Sequence, residues 1–97
     1  MIDIKKAVEK SISFLNEMYP ESNDFQDILL EEAEISEDKN FWFITIGFDR
    51  LKKDSNSKLV RAINNPKLHR EYKIFKVDTN SGEVISMKIR KDESAIA

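Results

Sequence analysis

The sequence predicts an α+β domain: one N-terminal helix packed on a four-stranded antiparallel sheet, in the order α-β-β-β-β. Three observations predict it. Residues 3–19 place apolar side chains at three- and four-residue spacing. Segments 41–49 and 71–90 alternate in period two and are rich in β-branched and aromatic residues. Polar clusters at 37–40 and 79–82 sit where hairpin turns would join neighbouring strands. An amphipathic helix and a sheet with an apolar face bury one another as two layers. At 97 residues the chain is expected to form one domain, 1–97.

In the helix, Ile4, Ala7, Val8, Ile12, Leu15, Met18 and Tyr19 form the apolar stripe, and Lys5, Lys6, Glu9 and Lys10 take the other side. Asp3 is placed to cap the first turn. Pro20 cannot continue the helix and pushes Tyr19 out of helical geometry. Ser22, Asn23 and Asp24 then make a loop.

Residues 25–37 fit two readings. FQDILLEEAE contains good helix formers, with Ser22 as a cap. As a strand, Leu29, Glu31, Ala33 and Ile35 alternate with Leu30, Glu32, Glu34 and Ser36, giving an apolar face and a mostly acidic one. The turn at 37–40 and the strong strand behind it favour a strand over 28–36, paired as a hairpin.

Over 41–49, Trp42, Ile44, Ile46 and Phe48 share the face expected to meet the helix. Phe41, Phe43, Thr45 and Gly47 share the other, which is apolar near its start. The long connection, a second subunit or a partner is expected to cover it. The connection, 50–70, is basic; either Ser57 caps a short helix ending before Asn64-Asn65-Pro66, or the whole segment is a loop. In 71–78, Tyr72, Ile74 and Lys76 oppose Lys73, Phe75 and Val77. Gly82 supplies the positive φ that the 79–82 turn needs. In the last strand, 83–90, Ile85, Met87 and Ile89 oppose Val84, Ser86, Lys88 and Arg90. The tail, 91–97, has nothing to order it.

The net charge of −2 hides a segregation. Residues 1–49 hold 4 Lys and Arg against 12 Asp and Glu, residues 50–76 hold 9 against 2, and residues 77–97 hold 3 against 4. Either these blocks pair across neighbouring strands, or the basic block steers an acidic partner.

Composition excludes several functions. The absence of cysteine removes disulfides and thiolate metal sites. With two glycines, neither in a phosphate-loop pattern, a nucleotide cradle has no basis. His69 is the sole histidine and no serine lies in a nucleophile-elbow context, so the chain is expected not to be an enzyme. Glu31, Glu32, Glu34, Glu37 and Asp38 read as a solvated face rather than a metal site, since Glu31 would oppose Glu32 and Glu34 on a strand. No cofactor is expected. No apolar run is long enough to span a membrane, mean hydropathy is −0.52, and the first ten residues lack a signal peptide's apolar core, so the expected location is the cytoplasm.

The ending YKIFKVDTNSGEVISMKIR resembles that of PepSY-like and cystatin-like small α+β domains. Their last hairpin reads as a hydrophobic strand, Asp, a short turn, Gly-Glu-Val and another strand, here Val77 through Val84. The strand carrying Trp42 and a helix across the sheet are similar too. The likeness covers about residues 70–90, extends loosely over 1–49 and is absent over 50–69. It implies a binding or inhibitory module rather than an enzyme. Similar cystatin-like domains occur among bacterial cytosolic immunity proteins, which suits the expected compartment.

The expected function is therefore a small protein-interaction module, immunity- or inhibitor-like. Its candidate binding residues are Arg50, Lys52, Lys53, Arg61 and Arg70 of the connection with Phe41 and Phe43 of the open face; Phe75 and Val77 are further candidates for that face. The expected partner is a protein, or a second copy of the chain through a sheet edge or face. The alternative is a nucleic-acid-binding accessory protein, with Tyr72 and Phe75 beside the basic 50–70 segment. A sequence pI of 5.4 weighs against it.

Overall fold

A computed structural model describes residues 1–51 and 68–90. The helix weighed after Ser57, the candidates Lys52, Lys53 and Arg61, and the tail 91–97 lie outside the described residues. Helix α1 spans Ile4–Met18, and a short 3-10 helix follows at Pro20–Asp24. The strands are β1 (Gln26–Ile35), β2 (Phe41–Leu51), β3 (Leu68–Asp78) and β4 (Val84–Ile89). They form one antiparallel sheet in the order β1-β2-β3-β4, with α1 across β2 and β3.

Helix α1 starts where the Asp3 carboxylate accepts a hydrogen bond from the Lys6 amide at 2.8 Å. A cap of this kind stabilises a helix by about 1 kcal/mol. The helix stops at Tyr19, whose extended backbone precedes Pro20. Ala7, Ser11 and Leu15 are the residues it buries. Two of these are small, which lets the helix sit close to the sheet. The Ser11 hydroxyl is satisfied inside the helix, donating to the Ala7 carbonyl at 2.9 Å.

Under the helix lie Ile44, Ile46 and Phe48 of β2 and Phe75 and Val77 of β3, all 0% exposed. The rings lock this layer: Phe25 stacks on Phe48 at 4.4 Å, and Phe14 meets Phe75 edge-on at 6.3 Å. Trp42 belongs to the same face. Its indole Nε1 donates to the Ile2 carbonyl at 3.1 Å, while the Ile2 amide donates to the Thr79 carbonyl at 2.6 Å. The N-terminal residues are thereby latched to the sheet. Thr79 also ties the two turns together, its amide and hydroxyl both donating to the Asn40 carbonyl.

Several details depart from the sequence reading. Phe75 and Val77 belong to the core under the helix and not to the second face, because β3 pairs Phe75 with Ile44 and Val77 with Trp42. β1 carries register shifts between Gln26 and Leu29 and between Leu30 and Glu32. The second adds a residue, so Glu31 no longer opposes Glu32. β4 pairs Val84 with Val77, which sets Val84 against the core with Met87 rather than with Ser86 and Lys88. β2 and β3 extend the hairpin to the pair Leu51 and Leu68, which shortens the connection to 52–67. Gly82 has φ 75°, as the turn requires.

Candidate functional site

The second face of the sheet is the candidate site. Directly paired residues share a face and successive residues alternate, so the register assigns it. One row across the sheet reads Glu34, Phe43, Lys76, Ser86, and the next reads Glu32, Thr45, Ile74, Lys88. Beyond these, Gly47 pairs with Tyr72, and the Arg90 amide donates to the Tyr72 carbonyl at 3.0 Å. Phe41 sits in the outermost row opposite Asp78. Among the described residues no helix packs on this face.

The rows give the face a direction. Its β1 column carries Glu31, Glu32 and Glu34, with exposed Leu29 opposite Gly47. Its middle is aromatic and aliphatic, with half-buried Phe41, Phe43, Tyr72 and Ile74. Its β3–β4 side is basic, with Lys76, Lys88 and, just past the strand end, Arg90. The Lys76 ammonium lies 4.2 Å from the centre of the Phe41 ring. The Arg90 guanidinium lies 5.7 Å from that of Tyr72. Among the described residues, Glu32, Glu34, Lys88 and Arg90 form no ion pair within the chain.

Arg70 is the exception on this face. It reaches over Gly47 to Glu31 at 2.6 Å and contacts Asp49 at 3.2 Å. These hydrogen bonds, Glu31 first, raise its pKa further and fix its charge. Gly47 makes the reach possible. A Cβ there would sit 2.8 Å from Glu31 Oε1 and 3.0 Å from Arg70 Nη2.

Arg50 is carried to the opposite face, at the end of the core. It pairs with Glu21 at 3.1 Å and Glu71 at 3.3 Å, and lies over the rings of Tyr19 and Phe25. His69 donates to the second Glu71 oxygen at 3.1 Å. Partial burial pushes the Glu71 carboxyl up, but the His69 and Arg50 hydrogen bonds and the charges of Arg50 and Lys73 outweigh it. Its pKa stands below the ordinary carboxylate value.

Of the residues the sequence singled out, the structure gathers Phe41, Phe43 and Arg70 on one face and sets Arg50 on the other. Both arginines are engaged by carboxylates of the acidic block. The site also includes residues that sequence reasoning had not assigned to binding: the acidic β1 column, Ile74, Lys76, Lys88 and Arg90. The period-two pattern of β3 and β4 placed most of these on one side. A cleft of about 160 Å³ beside the end of β4 is lined by Arg70, Glu71, Tyr72, Lys73, Ile89 and Arg90. Among the described residues, no cluster of three or more histidine and acidic groups has the geometry of a metal site, and no helix is long and apolar enough to cross a membrane. Comparison with protein-family models, curated proteins and solved structures finds no match.

Proposed function

We propose that this chain is a small non-enzymatic, cytoplasmic interaction module that docks a protein through the open face of its sheet and the basic connection of its sequence. The observation that carries the reading is the apolar strip of Phe41, Phe43, Tyr72 and Ile74, bordered by charges that find no partner within the described chain. Half-buried aromatic rings rimmed by polar groups are what protein interfaces use as anchors. The resemblance to PepSY-like and cystatin-like domains supports an immunity- or inhibitor-like role. Nucleic-acid binding is less favoured, because Arg50 and Arg70 are committed to internal carboxylates and acids line one side of the open face.

The test is site-specific photocrosslinking in the native cell. A crosslinker at position 43 is expected to trap a protein, and one at exposed Asn16 on the helix is not. The trapped species should disappear when Phe41 or Tyr72 is changed to Asp. Equal yields from positions 43 and 16 would refute the reading.

A further inference from the structure

We propose that the occupant of the open face is a second copy of this chain, stacked face to face about a two-fold axis lying between the two sheets and parallel to their strands. The inference rests on the open face being a docking surface, and it names the partner.

The argument is charge complementarity within one surface. In an isologous dimer each patch meets its own copy. Two sheets with aligned strands can stack about either of two in-plane axes. An axis perpendicular to the strands lays β1 over β1 and brings the acidic columns together. An axis parallel to the strands lays β1 over β4 and β2 over β3. In that arrangement Glu32 of each copy faces Lys88 of the other, because both lie in the same cross-sheet row. In the flanking rows Glu34 faces Ser86 and Arg90 faces Leu29, so the Glu32–Lys88 pairs carry the match. Phe43 and Ile74 meet the β3 and β2 residues of the other copy at the centre. A gradient running from acid to base across four strands therefore selects one of the two orientations and disfavours the other.

Size is consistent with this. Strands spaced about 4.8 Å apart and rising about 3.3 Å per residue give the four-stranded part a footprint on the order of 400–500 Å². Over both copies that is about 800–1,000 Å², the size of weak, transient interfaces, where electrostatic match fixes orientation. The ionic border makes the association sensitive to salt.

The experiment is analytical ultracentrifugation of the full chain and two charge-reversed variants, E32K/E34K and K88E/R90E. The native chain is expected to dimerise and to weaken as salt is raised. Each variant should be monomeric with an unchanged circular dichroism spectrum, because its β1 and β4 columns then carry like charge. Mixing the two variants should restore a one-to-one heterodimer at least ~10-fold tighter than either self-association. A native chain that stays monomeric, variants that self-associate as tightly as the native chain, or a mixture that does not pair would each overturn the proposal. The two readings fail separately. A monomeric chain that still crosslinks a different protein through position 43 keeps the docking face and loses the second copy. A dimer unaffected by F43D makes its contact elsewhere and overturns the stacking, while the crosslinking at position 43 decides the docking face.

Discussion

The two faces of β2 are built from alternate residues of one segment, yet they solve different problems. Trp42, Ile44, Ile46 and Phe48 are hydrophobic throughout and meet a helix, where close packing gives stability. Phe41, Phe43, Thr45, Gly47 and Asp49 grade from aromatic to acidic and meet neighbours whose charge changes from one strand to the next. The first face needs volume to be filled. The second keeps charge and ring surface accessible to something outside. Hydrophobicity alone does not distinguish a core phenylalanine from one on the open face of this strand. What separates them is the company each keeps across the register.

Substitutions sharpen this contrast. The largest effect belongs to the covered face: Phe75→Ala should cost about 3–5 kcal/mol of unfolding free energy, whereas Phe43→Ala should cost about 1 kcal/mol or less and act on docking instead. Urea titration of both variants measures the difference. Similar losses at the two positions would erase the distinction between the faces.

Next in size is the acid response of the Arg50–Glu71–His69 cluster. Because the folded Glu71 pKa is lowered, its contribution is complete above the unfolded value of about 4.3 and is lost as pH falls through the folded value. Glu71→Gln should lower stability by about 1 kcal/mol or less at pH 7, since the partners are partly solvated. It should also flatten the decline as pH falls below the unfolded value. Asp38 and Asp78, whose carboxyls are held low by turn hydrogen bonds led by those from Ser36 and the Ser81 amide, leave a residual slope. Unfolding curves at stepped pH decide the point; an unchanged slope in the variant would exonerate the cluster.

The smallest effect is expected at Gly47. Gly47→Ala places a methyl where Glu31 and Arg70 meet and should part them. The lost surface pair is worth about 0–1 kcal/mol. A comparable gain from the reduced freedom of the unfolded chain opposes it. Thermal melting should move little while the Arg70 side-chain resonance shifts; a large drop in melting temperature would make the pair a structural keystone.

The helix and the order of the strands were legible because their periods are clean and Pro20 and Gly82 mark boundaries. The acidic column was not. An extra residue at Glu31 leaves no trace in an alternation already blurred by three glutamates, so only the observed register shows three carboxylates on one side. The hairpin ends were hidden for another reason. Asp49-Arg50 and His69-Arg70 look like the start and end of a loop, but cross-strand ion pairs hold them in the sheet where apolar residues would otherwise be expected. Charge segregation is visible in the sequence, but that it is partly spent on Arg50 and Arg70 shows only in the folded chain.

The latch between Trp42 and Ile2 gives the molecule an internal gauge. The chain has a single indole, and it grips the peptide just ahead of the helix. Its emission therefore reports whether the N-terminal layer is seated, without any attached dye. A loss of sheet–helix contact reddens that light, while an event confined to the far side of β2 leaves the colour alone, so one fluorescence trace can tell unfolding from the docking proposed for the open face in the same cuvette.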